Sequence, residues 1–506
     1  MQKSRLIINI ILIIIFFASA AFQQAYRIGY EWIKIWDESS GAQNAIEMMA
    51  NKKYFVVHCD GKPDHLDVKP PLALWLKIIS YKIFGISEFS VRFPTIIAFW
   101  IILLFFVLFA LRYLKTPEIA WIILFIVASS RGFIYYHVAR HGDPDTLLTM
   151  FVTGYILSFF IVLEKFPDNY LKYLILTGLS VVGAVYMKSV AGLAPLAGIA
   201  IFMTFVKNGR RLLTKPSFYL TVFSVIIVIM AYYTGREFAD PGYLKSVFKF
   251  EINVLSEYPG KIPKHPEFGY YFNFLWKIGF RPWIFFIPVS LIPLFFSNNK
   301  RNKRLILYSL TGALVYLAGQ SAALMKNHWY IAPIFPFLWL TLAVSFYEIF
   351  QLILRWIKRL RWQIAVSIVV FFFPVFLGSR MYIQMLDYNY IIPGGYIYEP
   401  ERMGHYLKHI KTEHPEYKEL IALTNRFQRQ LKFYIKKYTF EDSTSVVITG
   451  SIQENMLNRE VFITDSTDKK LLMEAFYVRL IDSAKYGRLY HIDAIKDSSL
   501  IFLNEK

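Results

Sequence analysis

The chain has a single cysteine, Cys59, in 506 residues, which excludes an intramolecular disulfide and a cluster of thiolate metal ligands. Acidic residues are also scarce, since 36 Asp and Glu stand against 56 Lys and Arg, for a formal net charge of +20. The basic residues fall in short clusters between apolar runs, and not along one polar face, which argues against a nucleic-acid partner. The sequence contains no heptad pattern, tandem repeat or low-complexity tract.

Apolar residues, by contrast, make up 56% of the chain, and 18% of all residues are aromatic. This exceeds what the core of a soluble domain needs, so the excess is expected to face lipid. Apolar runs long enough to cross a hydrocarbon core of roughly 30 Å recur through the first three quarters of the chain. They predict about eleven transmembrane helices, near residues 6–21, 92–112, 119–136, 146–163, 171–187, 190–206, 217–233, 280–297, 305–323, 330–350 and 363–380.

Clusters of Lys and Arg between these runs predict the orientation, because such clusters in short loops remain on the cytoplasmic side. If the N-terminus is cytoplasmic, every second loop carries a basic cluster; these loops lie at 112–115, 165–172, 207–215, 300–304 and 355–361. The sequence therefore predicts a multi-pass protein of the bacterial inner membrane, with its long C-terminal segment in the periplasm.

The periplasmic segments 23–92 and 235–277 are longer than a connection between helices requires, and loops of that length are usually functional. Apolar spacing in the first predicts an amphipathic helix near its start and a helix in the membrane interface at 72–84. The predicted fold class is an α-helical polytopic membrane domain, residues 1–382, followed by a periplasmic soluble α/β domain, residues 383–506. The β-prone runs of that second domain lie at 420–423, 446–449, 461–464, 475–481 and 489–492.

Three groups in the first periplasmic loop are candidates for chemistry. Asp37 and Glu38 follow the first span, where a desolvated carboxylate can act as a general base toward an acceptor hydroxyl. The alternative is that they stabilise the first turn of the following helix. Lys69 precedes Pro70 and Pro71, which restrict the backbone and direct the lysine, as a phosphate site requires. The alternative is that Lys69 lies in the membrane interface, with its aliphatic stem in the apolar region and its ammonium group in water.

Further candidates lie at the predicted outer ends of later spans. In the segment His141 to Asp145, Asp143 before Pro144 has the pattern of a helix N-cap, so Asp145 is the better functional candidate. Lys188 and Lys326 are cations on the predicted periplasmic side, where basic residues are less common. We therefore expect them to have anionic partners, either a lipid-linked phosphate or phospholipid head groups. Substrate-binding candidates are His265, Tyr270 and His328. His265 and Glu267 are too few ligands to predict a metal site, although the sequence does not exclude a divalent metal.

The stretches DESSGAQNAIEMMANKKYF, KPPLALWLKIISYKIFG and SEFSVRFPT resemble the first outer loop of the GT-C glycosyltransferases. The resemblance is to the bacterial 4-amino-4-deoxy-L-arabinose transferase of lipid A and the protein O-mannosyltransferases. It extends over about the first 340 residues. The motifs that match are the Asp37-Glu38 pair, Lys69 to Leu72, Asp145 in DTLLTMF, and Lys326, Tyr330 and Pro333 in KNHWYIAP. Ser39, Ser40 and Gly41 stand where the family often has Arg or Tyr, and the C-terminal domain has no match.

The resemblance implies an inverting transferase that takes a sugar from an undecaprenyl-phosphate donor. Asp37, with Glu38 and Asp145, would be catalytic, and the donor phosphate would be bound by Lys69, Lys188, Lys326 and Tyr330. Asp143 and His141 are further candidates for substrate binding. The implied partners are the polyprenyl-phosphate sugar donor, membrane lipids, and a lipid, glycan or protein acceptor. The resemblance implies no certain cofactor.

Three other functions remain open from the sequence. An O-antigen-ligase-type transferase would use a pyrophosphate-linked glycan. A polyprenyl-lipid transporter or flippase would also have about eleven spans, but its ionisable residues are expected at mid-membrane in broken helices. A membrane scaffold for polysaccharide assembly would use the C-terminal domain only for binding.

Overall fold

The computed structural model describes residues 2–34, 36–134, 137–252, 267–357, 383, 401–425 and 428–501. The helices before the C-terminal segment are α1 (Gln2–Ala25), α2 (Asp37–Ala50), α3 (Leu72–Phe84), α4 (Glu88–Leu108), α5 (Pro117–Ala128), α6 (Arg131–Ile134), α7 (Asp145–Lys165), α8 (Leu171–Lys188), α9 (Leu196–Phe205), α10 (Lys207–Leu212), α11 (Pro216–Ala239), α12 (Tyr243–Val247), α13 (Tyr270–Phe274), α14 (Ile292–Phe296), α15 (Lys300–Ala322) and α16 (Phe335–Trp356). A short hairpin of β1 (His58–Cys59) and β2 (Lys62–Pro63) lies between α2 and α3.

The C-terminal segment alternates helices and strands. Its helices are α17 (Arg402–Glu413), α18 (Arg429–Asp442) and α19 (Ser466–Ala475). Its strands are β3 (Glu419–Leu423), β4 (Ser445–Thr449), β5 (Glu460–Ile463), β6 (Phe476–Ala484) and β7 (Gly487–Ile495), so each β-prone run coincides with a strand. The whole chain folds into two compact units, each assembled from segments that are distant in sequence.

The first unit comprises Met1–Ile28, Asp64–Ala73 and Arg92–Ile391 and contains nearly all of the apolar helices. In the described part of the chain, seven helices are long and apolar enough to cross a membrane, or eight if one bent pair is a single span. The fold class is confirmed as polytopic and helical, whereas the count of eleven spans is not. The predicted span 363–380 lies outside the described residues.

Three predicted spans differ from simple transmembrane helices. α5 ends before Ser129 and Ser130, whose hydroxyls accept hydrogen bonds from the indole nitrogens of Trp283 and Trp339, each at 2.9 Å. α9 begins only after Pro195, which cannot donate a helical hydrogen bond. The predicted span 280–297 corresponds to the second member of a helix pair, Tyr270–Gly279 and Trp283–Phe296, which is bent by 111° at a break that contains Pro282.

The second unit comprises Gly29–Pro63, Leu74–Val91 and Ile392–Lys506. Its five-stranded sheet has the order β4-β3-β5-β7-β6, in which β3 pairs in parallel with β4 and β5, and β7 pairs antiparallel with β5 and β6. Apolar side chains of α2 and α3 belong to the same buried core as those of α17, α18 and the sheet. Most of the first long loop is therefore packed with the C-terminal segment inside this unit, whereas its residues 64–73 belong to the first unit.

A buried ionic contact joins the helices of the second unit. Glu88, 4% exposed, accepts hydrogen bonds from Lys408 Nζ at 2.6 Å and from the hydroxyl of Tyr434 at 2.9 Å. Two donors satisfy a carboxylate that would otherwise be costly to bury. The predicted domain boundary at 382 and 383 stays a prediction, because residues 384–400 lie outside the described part of the chain.

Candidate active site

An ion pair at one end of the α7–α8 hairpin is the centre of the candidate site. Asp145 begins α7 and Lys188 ends α8, and the antiparallel hairpin brings the two side chains together although they are 43 residues apart. Lys188 Nζ lies 2.6 Å from Asp145 Oδ1, and their side chains are only 11% and 1% exposed. An acid at a helix N-terminus and a base at a helix C-terminus both oppose the partial charges of the helix ends.

The segment after α15 contributes an aromatic ring to this pair. Lys188 Nζ lies 5.2 Å from the centroid of the Tyr330 ring, a cation–π contact. The backbone carbonyl of Tyr330 accepts a hydrogen bond of 2.7 Å from the Tyr316 hydroxyl, which fixes its position. Lys326, which is 2% exposed, donates to the carbonyl of Ala323 at 2.7 Å. Lys326 is thus positioned by its own loop, and its role toward a phosphate stays a prediction.

Lys69 lies in a short segment that α12 and its neighbours hold in place. The Tyr243 hydroxyl donates to the carbonyl of Val68 at 2.6 Å. Four residues before Lys69, the ring of His65 contacts Asp240 Oδ1 and Ser246 Oγ, both at 3.0 Å. Lys69 itself lies 3.2 Å from the Asp67 carboxylate, and its side chain is 30% exposed. The backbone of Lys69 is therefore fixed, while its side chain remains partly accessible.

We expect Tyr243→Phe to loosen the Lys69 segment, because it removes the hydroxyl that donates to Val68. The loss of one buried hydrogen bond should lower the free energy of unfolding by about 1 kcal/mol and raise the apparent KM for a phosphate-bearing substrate, with kcat little changed. The matched control is Tyr186→Phe, which removes a 2.6 Å hydrogen bond to the carbonyl of Val228. An equal rise in KM in both variants would contradict a positioning role for Tyr243.

The charges of Lys69 and Lys188 both act on one carboxylate, that of Glu251. Burial raises the pKa of Glu251 above its usual 4.5, while the charge of Lys69, a hydrogen bond with Ser189 and the charge of Lys188 act in the opposite direction. Both lysines are therefore near enough to influence the same carboxylate. We call Lys69, Lys188, Glu251 and Tyr330 the cationic cluster, and no motif in the sequence indicated Glu251.

The predicted substrate-binding residues are brought together only in part. The Tyr270 hydroxyl lies 2.9 Å from His328 Nδ1, and the two rings are parallel. Asp143 and His141 lie beside His137, a residue that no sequence motif singled out: Asp143 Oδ2 is 2.5 Å from His137 Nδ1, and the two imidazole rings are stacked. His265 lies outside the described residues.

In the second unit, the two acidic residues of the Asp37-Glu38 pair have different surroundings. Glu38 is fully buried and accepts a 2.7 Å hydrogen bond from the backbone N–H of Lys34. Asp37 is exposed at the first position of α2. Both acidic residues lie in the first turn of α2, as the alternative interpretation predicted, and the N-cap position is occupied by Trp36, whose side chain forms no capping hydrogen bond.

Gly41, which lies within α2, stands close to Lys77 of α3, the helix that the sequence predicted to lie in the membrane interface. A Cβ atom at Gly41 would lie 2.7 Å from Lys77 Nζ, so glycine leaves the space that this ammonium group occupies. Lys77 is 3% exposed. A buried cation thus lies beside the segment from which the family's Arg or Tyr is missing.

Comparison with known proteins supports the resemblance. The sequence profile of the family described as Dolichyl-phosphate-mannose-protein mannosyltransferase matches residues 68–233. An undecaprenyl phosphate-alpha-4-amino-4-deoxy-L-arabinose arabinosyl transferase of Proteus mirabilis is 24% identical over 273 residues, which are 52% of this chain and 47% of that protein. The transferase of that name from Shewanella sediminis is 24% identical over 361 residues, 69% of this chain and 62% of that protein. The chain thus matches about half to three fifths of the length of these relatives.

Solved structures show the same fold over nearly the whole chain. ArnT from Cupriavidus metallidurans bound to undecaprenyl phosphate superposes with a TM-score of 0.69 and 14% identity, and covers 97% of this chain and 98% of that one. The oligosaccharyltransferase AglB from Archaeoglobus fulgidus, in complex with an inhibitory peptide and a dolichol-phosphate, has a TM-score of 0.53 and 11% identity, with 92% and 70% covered. The chain is a multi-pass membrane protein with the GT-C fold, and the predicted resemblance is confirmed.

Proposed function

We propose that this protein is a membrane glycosyltransferase that takes a sugar from a polyprenyl-phosphate carrier of the undecaprenyl class. The observation that carries the proposal is the cationic cluster, in which Lys188 lies against the Tyr330 ring and the charges of Lys69 and Lys188 both act on the Glu251 carboxylate. Similar proteins are arabinosyl transferases by name, and ArnT, with the same fold, binds undecaprenyl phosphate. The acceptor is an oxygen nucleophile on a lipid, a glycan or a protein.

The reaction we propose is a single displacement at the anomeric carbon. The acceptor oxygen forms a bond to this carbon as the bond to the phosphate oxygen of the carrier breaks, which inverts the configuration. Asp37 takes the proton of the acceptor hydroxyl, and the electron pair of the broken bond remains on the departing polyprenyl phosphate. Lys69 and Lys188 stabilise the charge that grows on that phosphate, a contribution commonly worth several kcal/mol.

We infer that the site faces the periplasm and that the N-terminus is cytoplasmic. The basic clusters at 207–215 and 300–304 fall in short connections between apolar helices, where positive charge marks the cytoplasmic side. Lys188 lies at the C-terminal end of α8, and the basic loop 165–172 precedes the N-terminal end of that helix. The two ends of α8 are therefore assigned to opposite sides of the membrane.

Glu251 should make the binding of a donor phosphate depend on pH. Its pKa is raised, so it becomes neutral on acidification at a higher pH than an ordinary glutamate, and its ionised form competes with phosphate for Lys69 and Lys188. We expect the dissociation constant of a prenyl phosphodiester, measured without acceptor, to rise roughly tenfold as Glu251 ionises. Glu251→Gln should bind tightly with little change between about pH 5 and pH 7.5, whereas the exposed Glu267→Gln control should keep the wild-type profile. Identical profiles for wild type and Glu251→Gln would contradict this assignment.

The proposal is tested by sugar transfer from radiolabelled undecaprenyl-phosphate donors in membranes that contain the wild type, Asp37→Asn or Lys69→Ala at matched expression. Lys172→Ala is the matched control, because this exposed lysine lies in a loop assigned to the cytoplasmic side. Wild type and Lys172→Ala should move label into a lipid, glycan or protein fraction, and the two site variants should not.

The other outcomes are also informative. Equal sugar transfer by all four proteins would show that neither Asp37 nor Lys69 is needed for the reaction. If the wild type transfers no label from any donor of this class, the glycosyltransferase proposal fails. Movement of labelled carrier across the bilayer without transfer would favour a transporter.

A further inference from the structure

A cluster of two imidazoles and a carboxylate lies in the segment between α6 and α7, apart from the residues assigned to phosphate binding. His137, His141 and Asp143 each present one ligand atom, and the three atoms lie within 4.8 Å of one another. The His137 and His141 rings are stacked, with centroids 4.6 Å apart and planes at 6°. Around a tetrahedral Zn²⁺ the ligand atoms are about 3.3 Å apart, so the widest pair of this set has to approach by no more than about 1.5 Å to reach a metal-binding distance.

The segment that carries the cluster is held firmly by the end of α1. Arg140 Nη1 donates to the carbonyls of Gln23, Gln24 and Tyr26 at 2.9, 3.0 and 2.9 Å. The Gln24 side chain donates in return to the carbonyl of Ala139 at 2.7 Å. The backbone between the two histidines is therefore fixed before any ligand arrives, which lowers the entropy cost of assembling a site.

Ring orientation is fixed as well. The Trp329 ring stacks on His137 at 4.2 Å with an interplanar angle of 19°, so Trp329, His137 and His141 form one stack. Ligands that are oriented by their neighbours before the metal arrives bind it more tightly.

The charge of Asp143 requires a cation at this place. Its side chain is 1% exposed, and among the described residues no hydrogen-bond donor reaches either oxygen apart from the ion pair with His137. Asp145, two residues later, is already neutralised by Lys188. A buried carboxylate needs a positive partner, either a protonated imidazole or a metal ion.

We propose that His137, His141 and Asp143 bind one divalent transition-metal ion of the Zn²⁺ class, a site that goes beyond the proposed transfer reaction. Two imidazoles favour Zn²⁺ and its transition-metal neighbours over Mg²⁺ and Ca²⁺, which prefer oxygen ligands. Three protein ligands leave a coordination position open, as in catalytic zinc sites. The ion holds the turn Asp143-Pro144-Asp145 and thereby the start of α7.

The test is metal binding by the full chain in detergent, prepared without a polyhistidine tag and treated with a chelator. Calorimetry with Zn²⁺ and absorption spectroscopy with Co²⁺ should show one equivalent bound by the wild type. His137→Ala and Asp143→Asn should weaken binding at least tenfold. Binding should also weaken below about pH 6.5, because the imidazoles must be neutral to bind metal.

The matched control is His491→Ala, which breaks a histidine–carboxylate pair with Glu460 at 3.1 Å in the second unit and should leave metal binding unchanged. Zn²⁺ should raise the melting temperature of the wild type and of His491→Ala, but not that of His137→Ala. If the wild type binds no stoichiometric metal, or if His137→Ala and Asp143→Asn bind it as tightly as the wild type, the cluster is a protonated ion pair and the proposal is wrong. None of these readouts depends on sugar transfer, so the two proposals can fail separately.

Discussion

Asp37→Asn is expected to lower kcat for sugar transfer by about 10²- to 10⁴-fold, the range that a general base contributes, while leaving the melting temperature unchanged. Asparagine has nearly the shape of aspartate but cannot accept the proton of the acceptor hydroxyl. Because Asp37 is exposed in the first turn of α2, the interaction of its charge with the helix N-terminus should contribute no more than about 1 kcal/mol to stability. The measurement is steady-state transfer with saturating donor, together with thermal unfolding of the same preparations.

Glu38→Gln is the matched variant. Glu38 is fully buried, and the amide oxygen of glutamine can still accept the hydrogen bond from the N–H of Lys34. We therefore expect Glu38→Gln to retain kcat within about tenfold of the wild type, with its main effect on stability. An equal loss of kcat in the two variants, or a clearly lower melting temperature of Asp37→Asn, would contradict the assignment of Asp37 as the general base.

Lys188→Met is expected to lower the free energy of unfolding by about 3–5 kcal/mol, because it removes the ammonium group that lies against the buried Asp145 carboxylate. The pair is short, at 2.6 Å, and both side chains are largely buried. The double variant Lys188→Met/Asp145→Asn contains neither charge and should recover a large part of this loss. Thermal unfolding of the two single variants and the double variant in detergent measures the coupling between the two residues.

Transfer activity should follow a different order from stability. The double variant regains stability but still lacks the cation that we propose binds the donor phosphate, so it should remain as inactive as Lys188→Met. The surface pair of Arg304 and Glu164, 2.5 Å apart with Arg304 44% exposed, supplies the control: Arg304→Met should cost less than about 1 kcal/mol. Recovery of transfer in the double variant would show that Lys188 serves only to neutralise Asp145.

The sequence predicted the fold class and most of the apolar helices, because a hydrocarbon core demands a local property, an apolar run of sufficient length. It failed to predict the end of α5 at Ser129 and Ser130, where hydroxyls bond to tryptophans more than 150 residues away. It also predicted the α/β character of the C-terminal segment, whose short apolar runs are bounded by turn residues. It did not predict that the core around those strands includes residues of α2 and α3.

The sequence by itself determined the order of the acidic and Lys-Pro-Pro motifs and the positions of the cations at the ends of the spans, because these are local patterns. Only the tertiary structure decided which of them meet. Helix packing and hydrogen bonds between loops bring three sets of residues together: Asp145 with Lys188, Val68 with Tyr243, and His137 with His141 and Asp143. The periodicity of apolar residues does not predict such contacts, because each contact depends on where two segments distant in sequence end in the folded chain. The two side chains meet only after both segments have packed.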